Sequence, residues 1–398
     1  SCTVMRIPPH PFSGPPSQRN LSLSLLSLLV AAIVLTALLV PQGMAYAELT
    51  GLPAITGIYT TIAALLAYAV FGPNRQLVLG PDSSLAPVIA AVILPLAAGD
   101  SASAVALASV MSILAGLACF VAGIARFGIV TELLSKPIRI GYLNGIAVIV
   151  LISQLPKALG FSVEGSTTIG VLAATIAAVL DGEVIGAALV LSAGSVIVIV
   201  GLRRINNAIP GIVIAALASI AAVTAFDLAD HGVRIVGDIP AGLPPLTLPG
   251  LDLEALPNLI VGALAVALVS FADTGALSTA TALKSGVRVD PNSEIKALGA
   301  ANIVSGLFQG FATSASSSRT AVAMTMGSRT QLTGLIAAAG VIIVMLVVPG
   351  VVAEMPSPTL AAIVIIASLG LFDWPATKWL FRARTSEFVM LTGAFLGV

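Results

Sequence analysis

The segment 314–332, SASSSRTAVAMTMGSRTQL, decides how this chain is read. It stands between two apolar runs, 294–311 and 331–350, yet it opens on four serines and an arginine. An arginine at the centre of a bilayer costs at least about 2.5 to 3.5 kcal/mol, so Arg319 is expected to face an interior cavity or a partner. Ser316, Ser317 and Ser318 can cap a helix start or offer hydroxyls to a ligand. The plainer alternative is that the serines are small packing residues and that Arg319 pairs with a buried acid.

The surrounding composition makes the bilayer setting firm. With 58% hydrophobic and 9% charged residues and a mean hydropathy of +1.07, the chain is an all-α polytopic membrane protein. Apolar runs of the length a bilayer requires, about 20 residues, recur at 21–40, 52–71, 79–98, 102–123, 138–155, 184–201 and 208–226, then at 258–282, 294–311, 315–327, 331–350, 358–372 and 386–398. Segment 167–180 is a further apolar helix without an assigned membrane role. With the N-terminus inside, the outer side holds only Lys157 and Arg234 among the bases, Arg319 lies within the membrane, and the rest gather on the inner side. The outer loops carry acids instead, among them Asp100, Glu164, Asp181, Glu183, Asp227 and Asp230. The expectation is a multi-pass protein of the plasma (inner) membrane with a cytoplasmic, disordered Pro- and Ser-rich tail at 1–20. Zero net charge and no basic run speak against nucleic acid as a partner, and Cys2 and Cys119 are placed too differently to pair.

Spacing predicts an inverted repeat. The first and eighth spans begin at Leu21 and Leu256, and GPDSS (from Gly80) and ASSSR (from Ala315) are separated by the same 235 residues. An odd number of spans per half inserts the second half upside down. The short extended pieces QLVLG (76–80) and GFATSA (310–315) then lead into two half-helices, spans 3 and 10, starting near the midplane. Their N-termini would point at one another across a cavity, presenting free N–H groups and positive dipole ends to an anion.

Three stretches, 41–87 (PQGMAYAELTGLPAITGIYTTIAALLAYAVFGPNRQLVLGPDSSLAP), 141–160 (GYLNGIAVIVLISQLPKALG) and 316–335 (SSSRTAVAMTMGSRTQLTGL), resemble the signature segments of the sulfate permease (SulP) anion transporters, relatives of solute carrier family 26. The resemblance implies a seven-plus-seven transmembrane inverted repeat divided into a core domain (21–126 and 255–352) and a gate domain (127–254 and 353–398). It also implies a fourteenth span and a cytoplasmic STAS domain. Neither is found in the sequence, so the second half of the gate domain reads as incomplete. By position, the resemblance places the anion between the starts of spans 3 and 10, against Asp82, Ser83, Ser84, Ser317, Ser318 and Arg319, with Gln42 and Tyr46 from span 1. Asp82 departs from the pattern. Beside a bound anion an ionised carboxylate would repel it by about 4 kcal/mol at 4 Å and an effective dielectric near 20, so Asp82 is either protonated during binding or turned away as a cap.

Two more acids are candidates for coupling. Asp273, in SFADTGALSTATA, could bind a proton or a sodium ion, or neutralise Arg319; Glu48 could carry a proton beside the site or face the outer surface. Neither histidine lies in a span, so a proton carrier within the membrane has to be a carboxylate. A nucleobase permease shares the fold that the resemblance implies and uses acids in spans 8 and 10, but span 10 here offers Arg319 and no acid; an intramembrane protease lacks its histidine or HExxH motif. The reading is a non-enzymatic secondary transporter without cofactor, moving a small anion by alternating access as proton symport. A dicarboxylate such as fumarate is favoured, then bicarbonate or sulfate. An uncoupled channel or exchanger is the rival, and a homodimer stays open.

Overall fold

The structure is a computed structural model describing residues 18–397 apart from 129–135, 164–166, 207–208, 238, 240–241, 251–252 and 384. Most of the tail at 1–20, and Glu164, therefore lie outside the described residues. Helix α1 (Gln18–Thr50) already includes the last residues of that tail segment.

The first half continues through α2 (Ala54–Phe71), strand β1 (Leu79–Gly80), α3 (Ala86–Ala97), α4 (Ser101–Ile124), α5 (Lys136–Leu159), α6 (Thr168–Leu180), α7 (Gly186–Ile205) and α8 (Gly211–Ala225). The second contains α9 (Leu256–Ser285), α10 (Pro291–Leu307), strand β2 (Ser314–Ala315), α11 (Ser317–Thr325), α12 (Leu332–Val347), α13 (Pro349–Ala353), α14 (Ser357–Leu369), α15 (Trp374–Ala383) and α16 (Thr385–Leu396). Seven helices among the described residues are long and apolar enough to cross a membrane.

Two differences from the expected spans matter. The first span does not stop at residue 40; α1 runs through Pro41 to Thr50. A proline removes only one backbone donor, and inside a packed bundle the neighbouring helices hold the segment helical. Gln42, Tyr46 and Glu48 therefore all sit on helix. The second difference is α15, which occupies the stretch between the last two expected spans.

Glycine lets the helices close on one another. A Cβ on Gly57 of α2 would come within 1.9 Å of the Gly43 carbonyl oxygen of α1. Between α4 and α10 the approach is mutual: a Cβ on Gly116 would meet the Gly299 oxygen at 2.6 Å, and one on Gly299 would meet the Gly116 oxygen at 2.7 Å. Such small-residue contacts bring backbones together where lipid supplies no hydrophobic drive. One apolar core joins α2, α3, α4, α9 and α10 around both strands; a second joins α1 and α2 to α5, α12 and α14.

Candidate functional site

The strands lie where the apolar pattern breaks. β1 pairs antiparallel with β2, Leu79 opposite Ala315 and Gly80 opposite Ser314. Residues 79 and 314, and 80 and 315, are the positions that the 235-residue spacing makes equivalent, so the ladder has the local two-fold relation an inverted repeat requires. Two residues of strand cannot satisfy the backbone around them at membrane depth, and side chains complete the accounting. Thr274 Oγ1 accepts from Ala315 N at 3.1 Å, Asn302 Oδ1 accepts from Thr313 N at 2.7 Å, and Ser270 Oγ donates to the Thr313 carbonyl at 2.7 Å. Thr60 Oγ1 accepts from Phe311 N at 3.0 Å. Polar side chains of α2, α9 and α10 thus hold an unwound chain inside the bundle.

The two half-helices start differently. On the β1 side the chain makes a turn before α3 begins at Ala86, later than the sequence suggests. Asp82 organises that turn: its carbonyl accepts from Leu85 N at 3.3 Å and Ala86 N at 3.2 Å, and its Oδ1 accepts from Ser84 N at 3.0 Å and Ser84 Oγ at 2.9 Å. Asp82 does not cap α3, whose N-cap is Leu85 without a side-chain cap bond, and it does not turn away from the site, since its Oδ2 stands 3.9 Å from Arg319 Nη2. On the β2 side α11 begins at once. Ser316 is its N-cap but makes no side-chain cap bond; its hydroxyl meets that of Ser318 at 3.1 Å. The side chains of Ser317 and Ser318 are exposed, and the first-turn amides have no partner within the helix.

Arg319 projects from that first turn and is only 1% exposed. Its Nη1 donates to the Pro81 carbonyl, and Nη2 stands 3.9 Å from Asp82 Oδ2. Among the described residues this is the ion pair Arg319 makes, so its partner is Asp82 and not Asp273. At 3.9 Å the pair falls short of a hydrogen bond. Nε and Nη2 have no hydrogen-bond partner in the protein, and neither has Oε1 of buried Gln42. Unmatched buried donors cost about 1 to 3 kcal/mol each, more where charge is involved. The Tyr46 phenol faces Asp82, Ser83 and Arg319, and Tyr46 and Ser83 are buried.

Asp273 joins the cluster from the other side, since its Oδ2 accepts from Ser84 Oγ at 3.0 Å. That hydroxyl also lies 2.9 Å from Asp82 Oδ1. One hydroxyl proton cannot serve two carboxylates simultaneously, so a proton on either acid completes the chain of hydrogen bonds. Glu48 is placed elsewhere, half-buried beside Lys157 and Ser357.

The sequence reading missed two groups. Tyr142 of α5 lies within electrostatic reach of Asp273, and its buried hydroxyl lacks a partner; it stood in the quoted 141–160 stretch, where the Tyr amid Gly and Asn was the available signal. Glu294 of α10 is 1% exposed and accepts from Tyr68 at 2.5 Å and Ser278 at 2.6 Å. An acid near a helix start reads from sequence as a dipole complement, which hid its burial.

The sequence profile of the sulfate permease family matches residues 25–394. A probable sulfate transporter of Mycobacterium tuberculosis (strain CDC 1551 / Oshkosh) is 40% identical over 372 residues, covering 93% of this chain and 66% of the relative. Human solute carrier family 26 member 6 is 31% identical over 372 residues, covering 87% and 48%. Among solved structures, the transmembrane domain of the cyanobacterial bicarbonate transporter BicA superposes with a TM-score of 0.82 at 26% identity, covering 96% of this chain and 95% of that one. SLC26A9 superposes with a TM-score of 0.88 at 23% identity, covering 94% and 62%, a likeness of fold. The chain thus spans 66% of the mycobacterial relative and about half of the human one.

Proposed function

The chain belongs to the sulfate permease family, and on that premise we propose that its protein is a secondary transporter of a small anion, held between the starts of α3 and α11. The observation that carries the reading is Arg319: buried, with Nε and Nη2 unmatched, in the uncapped first turn of α11. An anion arriving there gains a guanidinium, helix-end amides and serine hydroxyls together. Gln42, Tyr46, Ser83, Ser84, Ser317 and Ser318 line or support the pocket, and Asp82 restrains its affinity.

Transport proceeds by alternating access. The core domain (21–126 and 255–352) carries the site past the gate domain (127–254 and 353–398), with the N-terminus cytoplasmic in a plasma membrane. Proton symport is the coupling mode, and the support for it is the hydroxyl of Ser84 shared between Asp82 and Asp273. Protonation removes a negative charge from the pocket's wall as the anion enters. Sulfate and bicarbonate are the substrates named for relatives; a dicarboxylate such as fumarate belongs to the same chemical class of small carboxylate and oxyanion. The relatives are transporters, and catalysis has no part in the reading.

The test is uptake by purified protein in liposomes of labelled sulfate, bicarbonate and fumarate, each with and without imposed proton and sodium gradients. Saturable accumulation driven by an inward proton gradient is expected. Flux that ignores both gradients would make the protein a channel or exchanger, and no saturable uptake of any anion would end the assignment.

A further inference from the structure

Lys157 and Arg234, the two bases that charge counting separated from all the others, converge on one cavity. It has a volume of about 160 Å³ and is lined by Glu48, Lys157, Phe161, Ser162, Arg234 and Ser357, with glycine and proline completing the wall. The cavity lies at a seam: Glu48 ends α1, Lys157 ends α5, and Ser357 starts α14. Phe161 is buried at its floor, whereas Ser162 and Arg234 are exposed at its rim.

The cations are held in place. Lys157 Nζ donates to the Glu48 carbonyl at 3.0 Å. The Arg234 carbonyl accepts from Ser357 N at 2.9 Å, the neighbouring Val236 N donates to the Met355 carbonyl at 3.0 Å, and Arg234 Nη1 donates to Ser162 Oγ. Two fixed cations and two hydroxyls around a water-accessible hollow are the donor set of an oxyanion site. Ser357 Oγ donates to the Glu48 carboxylate at 3.4 Å, a long bond that the hydroxyl exchanges for an arriving anion, and Glu48 shares the hollow and leaves one net positive charge. That combination attracts an anion without trapping it.

We propose that Lys157, Arg234, Ser162 and Ser357 form a second anion site at the mouth of this seam, taking a small oxyanion such as sulfate. Glu48 lies six residues beyond Gln42 on α1, which is about 9 Å along the helix. The site is therefore one step from the central pocket and serves as its antechamber. That use rests on the transport reading above; the binding does not.

The experiment follows amine-reactive modification of Lys157 in the purified full chain, read by mass spectrometry, in sulfate and in gluconate of equal ionic strength. Sulfate slows modification by roughly threefold or more in the wild type and equally in Arg319→Ala, while Arg234→Gln loses the protection. A rate indifferent to sulfate in the wild type overturns the proposal. So does protection that vanishes in Arg319→Ala, because the effect would then originate in the central pocket. If liposomes show no anion transport while sulfate still shields Lys157, the transport reading falls and this site stands.

Discussion

The turn before α3 and the first turn of α11 occupy equivalent places in the two halves, and they have opposite chemistry. At α3 an acid, Asp82, closes its own turn by accepting from Ser84, Leu85 and Ala86. At α11 the serines leave the turn uncapped and a guanidinium two residues into the helix is only partly matched. The repeat builds the framework, two strands and two helix ends brought face to face. In the proposed function, the departure from symmetry makes one end the recipient of charge and the other the regulator of how tightly charge is held.

Removing the basic end should have the largest effect. Arg319→Ala loses about 4 kcal/mol of attraction for an anion, roughly a thousandfold in affinity. Liposome uptake is expected to fall to background while the protein stays largely folded; the lost unmatched donors offset part of the cost of leaving Asp82 and the Pro81 carbonyl without their partner. Next comes the proton link. Asp273→Asn keeps an acceptor for Ser84 but cannot take up a proton; accumulation against a gradient should disappear while anion exchange persists, and full proton-driven accumulation would exclude Asp273 as the coupling acid.

Softening the acidic end gives a smaller change of opposite sign. Asp82→Asn retains the oxygen that caps Ser84 and removes the charge, so binding of the transported anion, measured by calorimetry, should tighten by about tenfold, some 1.4 kcal/mol. Weaker binding would mean that Asp82 orients Arg319 more than it opposes the anion. Ser318→Ala, at the edge of the uncapped turn, should have the smallest effect, weakening binding a few-fold for the loss of one hydroxyl worth about 1 kcal/mol.

Much of this asymmetry could be read without coordinates, for identifiable reasons. Arg319 announces itself because the cost of a charge in lipid leaves few places for it. The extended pieces before the two helix starts follow from the 235-residue spacing and the broken apolar pattern, whereas their pairing as strands does not. The later start of α3 is not legible because it depends on the Asp82 side chain accepting from the Ser84 backbone, which is conditional on the turn and invisible to hydropathy. Pro41 suggested an end that packing against α2 and α12 overrides. Tyr142 and the meeting of Lys157 with Arg234 depend on how α5 docks against α1 and α14, a long-range arrangement that no local pattern encodes.

The central claim is that the paired helix starts, with Arg319, hold the anion. Locating a heavy oxyanion, selenate, by its anomalous scattering in crystals of the purified protein tests it most directly. The account predicts a peak within hydrogen-bond distance of Arg319 and of the first-turn amides of α11, across from Ser83 and Ser84. A fully occupied peak elsewhere, with Arg319 still turned onto the Pro81 carbonyl and no density beside it, would contradict it.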